Sequence, residues 1–261
     1  MLSFTTAELN AWLVAYLFPL TRVLGLIAAA PVFNNKSIPA RARIGLGVAI
    51  TVALVPALPP APGIDPGSLV GLLVLAQQML IGVAMGFAMR LVFTAVDMAG
   101  NLISLQMGLG FATAYDPQTA GQTAVISEFL GLLALLVFMA INGHLMVIAT
   151  LAHSFTVLPV GASSPQANAW WSLASAGAVV FSSGLLLALP VLVALMISNL
   201  ALAVLSRAAP QLNLMAIGFP LTIALGFSGL IFGLAYLGTP LQQLFEYGLQ
   251  TMLGPFAARS G

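Results

Sequence analysis

The sequence predicts an all-α, polytopic integral membrane protein built of kinked helical hairpins. Three observations carry that class. Of 261 residues, 61% are hydrophobic and 5% charged, where soluble domains carry about a quarter charged. The mean hydropathy is +1.09, so polar side chains are too few to cover a water-facing surface. Pro19, Pro190 and Pro220 stand inside long apolar runs, where each removes a backbone hydrogen bond and bends the helix.

Six apolar zones follow one another. The first, Trp12–Pro31, contains Pro19 and Arg22. The preceding stretch Met1–Asn10 carries Glu8 and no Lys or Arg, so it lacks the basic region of a cleaved signal peptide, and the zone is read as a retained span. A short basic loop, Asn34–Arg43, holds Lys36, Arg41 and Arg43. The second zone, Ile44–Leu58, ends in a run with prolines at 59, 60, 62 and 66, which stops a helix.

The third zone reads as helix from Ser68 to Met107. Some 40 helical residues reach roughly 60 Å, twice a bilayer core, so the zone either breaks near Arg90 or projects beyond the hydrocarbon. After the loop Gly108–Gln122 come Thr123–Ile141, then Asn142-Gly143-His144 and an apolar piece to Leu158. The fifth zone opens at Trp170-Trp171 and runs to Ser206. The sixth is Leu214–Leu237, followed by a tail with Glu246 and Arg259. In domain terms, residues 1–122 form an N-terminal helical region ending in the loop 108–122. Residues 123–261 form a C-terminal helical region, and both belong to a single integrated membrane unit. With the N-terminus outside, Lys36, Arg41, Arg43, Arg90 and Arg207 fall on one side, as the preference of basic residues for the cytoplasm requires.

Composition also excludes chemistries. A net charge of +1 leaves no basic footprint for nucleic acid. Without cysteine there are no disulfides, thiolate metal sites or cysteine nucleophiles. His144 and His153 lie nine residues apart, on opposite faces of any continuous helix, and read as structural rather than metal ligands. No serine sits in a nucleophile-elbow context, and Gly108-Leu109-Gly110 lacks the setting of a phosphate loop. The chain is expected not to be an enzyme and to hold no cofactor.

Two segments carry more information. Thr94, Asp97, Asn101 and Ser104 each fall within about 40° of Arg90 on a helix, and the five form one polar stripe. Such a stripe lines a water-filled pathway or fixes assembly through interhelical hydrogen bonds, and both readings stand. The loop Gly108–Gln122 has Gly108, Gly110 and Gly121 near its ends and Asp116-Pro117 in its middle. Non-helical backbone at membrane depth is tolerated only inside protein or beside a water-filled cavity. Met107, Phe111 and Tyr115 supply the apolar bulk of a pliable seal. Gly82 with Gly86, and Gly229 with Gly233, have the spacing that lets helix backbones approach.

In order along the chain stand Arg22 with Pro31-Val32-Phe33 and Pro39-Ala40-Arg41, then Gly108-Leu109-Gly110-Phe111-Ala112 with Asp116-Pro117. They are followed by Asn142-Gly143-His144, Ser154-Phe155 and Pro159-Val160-Gly161, then Leu189-Pro190-Val191 with Asn199. Last comes Arg207-Ala208-Ala209-Pro210-Gln211-Leu212-Asn213, running into Gly218-Phe219-Pro220. As an ordered set these segments resemble the FliR/SpaR-like family, the R subunit of the type III secretion export gate. The resemblance implies a core subunit of the flagellar gate in the bacterial inner membrane, at the basal body. It implies assembly with FliP-like and FliQ-like subunits, which shield its helices, and with an FlhB-like subunit alongside. It also implies that loop 108–122 acts as a plug against the passage of unfolded flagellar proteins. Export would be driven by the proton-motive force and a separate ATPase. A subunit of a virulence injectisome is the alternative within the family. A small-solute secondary transporter is the alternative outside it, and it would need midplane binding residues within a repeated architecture.

Overall fold

The structure is a computed structural model, and it describes residues 6–34, 38–60, 63–109, 125–161, 167–209 and 214–257. Among these residues there are helices and no strands. The helices are α1 (Thr6–Ala29), α2 (Ala40–Leu54, with a 3-10 turn Val55–Ala57), α3 (Leu69–Gln106), α4 (Val125–Ala140) and α5 (Gly143–Val157). They continue with α6 (Ala167–Ser175), α7 (Ala178–Ala208) and α8 (Leu214–Ala257). Four stretches are long and apolar enough to cross a membrane, and the pair α4 and α5, broken at Ile141-Asn142, would add a fifth. An all-helical polytopic membrane protein is what the composition required.

Two boundaries differ from the sequence reading, and the alternative left open for the third zone is decided in favour of one long helix. The third zone does not break at Arg90, because α3 is one helix of 38 residues, about 57 Å long. No proline interrupts it, and the polar stripe occupies a single face. The fifth zone is not continuous: Ala176-Gly177 separates α6 from α7. The sixth does not end at Leu237, since α8 runs on to Ala257. Past Pro240 its character changes from apolar to amphipathic. Leu241, Leu244, Phe245, Leu249 and Met252 are buried, while Gln242, Gln243, Glu246 and Gln250 are exposed. Hydropathy falls over such a stretch while the 3.6-residue period persists.

The chain forms two compact units. The first comprises Met1–Leu91, Asn142–Gly177 and Glu246–Gly261. In it, α1 packs closely on the N-terminal half of α3. A side chain on Gly82 would put Cβ 2.0 Å from the Arg22 carbonyl oxygen, and one on Gly86 would put it 2.7 Å from that of Leu26. Gly25 of α1 meets Met79 O in the same way, at 2.7 Å. The small-residue spacing of Gly82 and Gly86 is thus used for backbone contact. Val14, Phe18 and Val74 form a cluster, with Ile64, Leu75 and Val160 against it.

The second unit comprises Val92–Ile141 and Ala178–Phe245. Phe93, Phe138 and Phe245 pack ring on ring, with centroids 5.1 to 5.9 Å apart. Gly100 lets α3 meet α4, its missing Cβ being 2.2 Å from Ser127 Cα. Gly184 of α7 does the same against Ala95 O at 2.9 Å. The pair at 229 and 233 is lopsided. Gly229 faces Val191 at 3.4 Å, whereas Gly233 has nothing described within 4 Å and lines an apolar cavity. Spacing alone did not separate a contact glycine from a cavity glycine.

Candidate functional site

The loop singled out by sequence leaves from the C-terminus of α3. Gly110, Phe111, Tyr115, Asp116, Pro117 and Gly121 lie outside the described residues; Met107 and Gly108 are its described root. There the chain leaves the helix through a left-handed residue, Gly108, at φ +81°. The amide of Gly108 donates to Leu105 O at 3.1 Å and that of Leu109 to Ser104 O at 3.0 Å. This pair of bonds closes a helix C-terminus on a glycine, satisfying carbonyls the helix leaves open. Gly108 therefore caps α3 at the point where the loop begins.

Met107 is fully buried. Its carbonyl accepts a hydrogen bond from Thr222 Oγ1 of α8 at 3.2 Å. Its side chain fills the space opposite Gly226, where a Cβ would come 2.5 Å from Met107 Cγ. Phe219 lies against Gly108, whose missing Cβ would be 2.8 Å from the ring. Met107, which the sequence reading places in the pliable seal, is thus packed at the loop's root against Thr222 and Gly226 of α8. Thr222 and Gly226 were missed, because 115 residues separate Thr222 from the carbonyl it holds.

The polar stripe runs along α3 from exposed to buried. Arg90, Thr94, Asp97 and Asn101 are exposed in the single chain, and Ser104 is buried. Asp97 meets α4, where Ser127 Oγ donates to its carbonyl oxygen at 3.1 Å and to Oδ1 at 3.4 Å. Asn101 Nδ2 donates back to the Asp97 carbonyl at 2.9 Å. Ser104 Oγ has no hydrogen-bond partner among the described residues.

The first unit holds a second polar centre, on the lone arginine of α1. Arg22 is wholly buried. Its Nε donates to Gln78 Oε1 of α3 at 2.8 Å. Nη1 donates to Ser154 O and Ser154 Oγ of α5, both at 2.9 Å. Nη2 donates to Leu158 O at 2.8 Å. The guanidinium also lies 4.0 Å above the centre of the Phe155 ring. Every partner is neutral, and three of the four acceptors sit at the C-terminal end of α5, where the helix presents carbonyls and partial negative charge. A planar fork with five donors suits this clamp as no ammonium could.

The remaining motif residues have local roles. Asn142 adopts φ 57°, a conformation asparagine tolerates better than branched residues, and its carbonyl starts α5 by accepting from Leu145 and Met146. Gly143 is buried in the first turn of α5. His144 follows it, with Nδ1 buried and without a partner among the described residues. Arg207 stands in the last turn of α7, where a cation complements the helix dipole. Pro210, Gln211 and Asn213 lie outside the described residues.

Helices of span length, a capped loop root and a buried arginine clamp occur on a chain whose residues 13–248 match the family model for bacterial export proteins, family 1. The chain belongs to that family. Its relatives include the flagellar biosynthetic protein FliR of Pectobacterium carotovorum subsp. carotovorum, 44% identical over 226 residues, covering 87% of this chain and 86% of the relative. The FliR of Escherichia coli (strain K12) is 44% identical over 228 residues, 87% of each chain. That of Bacillus subtilis (strain 168) is 27% identical over 241 residues, 91% of this chain and 93% of the relative. The match to the export family spans both units and every helix from α1 to α8, so both polar centres lie within the matched region.

Proposed function

We propose that this chain is a core subunit of the flagellar type III protein export gate in the bacterial inner membrane. In this reading it forms a section of the channel through which unfolded flagellar proteins pass, without enzymatic chemistry of its own. The observation that carries it is membership of the export family over nearly the whole chain, with flagellar relatives at 44% identity. Those relatives favour the flagellar system over an injectisome. FliP-like and FliQ-like subunits, with an FlhB-like subunit alongside, cover its helices. The supporting observation is how bare those helices are, with only 17% of an 18-residue apolar window buried in each of α2, α6–α7 and α8.

Within that role the N-terminal region, residues 1–122, carries the channel-facing loop, and the C-terminal region, residues 123–261, holds its root. Loop 108–122 is the plug, and the packing of Met107 and Gly108 on α8 supports a fixed starting point for it. The test is removal of the gene from its own bacterium. Export of flagellar filament protein and motility should both be lost, and both should return when the gene is restored. A deletion strain that still exports would overturn the proposal.

A further inference from the structure

The first unit holds an open cavity of about 210 Å³ where α1, the end of α2 and the end of α5 meet. Every side chain that lines it is apolar, so any polar atom it presents belongs to the main chain. Four of the lining residues are Pro19, Pro59, Pro60 and Pro159, and proline has no N–H. The N–H of Val55 is spent on Thr51 O and that of Leu58 on Val55 O. Ala15 and Phe155 lie inside α1 and α5, where helix bonds use their N–H groups. Of the nine lining residues, only Val160 keeps an N–H not committed in this way.

The carbonyls are in the opposite state. In a helix, Ala15 O would take its bond from residue 19 and Phe155 O from residue 159, and both positions are proline. Each of these lining residues thus carries an acceptor that its own helix leaves open. Ala15 is half-buried and Phe155 wholly buried, so Ala15 O is the one within a ligand's reach. A ligand must bring a donor on an apolar body. A cation is disfavoured: the Arg22 guanidinium lies 4.0 Å from the centre of the Phe155 ring and its hydrogen-bond partners are all neutral, so a second positive charge would meet an uncompensated one. A neutral aromatic ring with one N–H meets both conditions, and its negative face suits the C–H groups of proline rings. About 150 Å³ holds a benzene ring, so this cavity has room for a bicyclic one.

We propose that this cavity is a binding site for an indole ring, its N–H donating to Ala15 O and its rings packed among Pro59, Pro60 and Pro159. An apolar pocket with one well-placed polar group selects a ligand in this way. Occupancy ties the end of α2 to α1 and α5, beside the Arg22 clamp that already joins those two helices.

The test is equilibrium dialysis of the full chain in its membrane complex against radiolabelled indole, with the same detergent on both sides so that partition into micelles cancels. Wild-type complex should bind one indole per chain saturably. Unlabelled indole should displace it about threefold or more better than 1-methylindole, which keeps the ring and lacks the donor, as one neutral hydrogen bond implies. Pro19→Ala supplies Ala15 O with its helix N–H, and this variant should keep the site but bind the two rings equally. N-acetyltryptophanamide separates two sources of the ring: displacement of indole assigns it to a tryptophan side chain of another polypeptide, and failure to displace assigns it to free indole, the site standing in either case. No saturable binding of indole, equal competition by 1-methylindole in wild type, or undiminished discrimination in Pro19→Ala would each overturn the proposal. The wild-type comparison requires no variant to fold.

Discussion

Arg22 shows how much one side chain can carry in a chain that is 5% charged. It joins α1 to Gln78 of α3 and to the end of α5, across sequence separations of 56 to 136 residues. Replacing it with Met leaves Gln78 Oε1 and the Leu158 carbonyl without donors, at roughly 1–3 kcal/mol each. Arg22→Met should therefore lower the thermal midpoint of the detergent-solubilised complex. Arg22→Lys should recover some of the loss, since an ammonium keeps the charge but cannot reach acceptors on two helices at once. A midpoint unchanged in Arg22→Met would contradict the clamp. The glycines give a sharper contrast at the same scale. Gly82→Ala drives Cβ into the Arg22 carbonyl, 2.0 Å away, whereas Gly233→Ala points into open space. Yield of assembled complex should fall severalfold in the first and hold in the second. Sequence spacing predicts the same behaviour for both, so this pair separates structure from pattern.

At the scale of elements, hydropathy located the apolar helices but took the fifth zone as continuous and ended the sixth too early. The end of α8 was legible in principle, because the buried set Leu241, Leu244, Phe245, Leu249 and Met252 follows the helical period. It was hidden behind Gly238-Thr239-Pro240 and the polar residues that follow. The break at Ala176-Gly177 had a cue only in its glycine. The start of the loop was visible as Gly108, whereas its anchorage was not, because Thr222 and Gly226 acquire meaning only once α8 is folded against α3. The role of Arg22 was equally hidden: a lone arginine in an apolar span signals a partner but does not say that the partners are carbonyls. If the root positions the plug, loosening it should let ions through. Thr222→Val removes the bond to Met107 O, and Gly226→Ala crowds the Met107 side chain. Each should raise the resting conductance of the assembled complex, with Gly233→Ala as the unaffected comparison. Gly108→Ala should act in the same direction, since a non-glycine residue at φ +81° costs about 1–2 kcal/mol. Equal conductance in all four proteins would detach the root from sealing.

For the whole molecule the governing fact is its apolar exterior. Trp171, Phe232 and Tyr236 are each three-quarters exposed or more, on helices whose span-length stretches are mostly unburied. Lipid or partner protein must cover them, and exposed apolar surface on this scale marks an interaction site in either case. Synthesised without FliP-like and FliQ-like subunits, the chain should be degraded or aggregate, and co-expression should raise its level in membranes severalfold. On the proposed function, this subunit helps close a conduit wide enough for an unfolded polypeptide. An open conduit would dissipate about 2.3 kcal/mol per elementary charge at 100 mV, so closure at rest is a condition of export. The direct measurement is ion conductance across membranes containing the assembled complex with residues 109–122 deleted. The expected result is a complex that assembles normally and leaks ions well above wild type. A deletion complex that assembles and stays as ion-tight as wild type would contradict it.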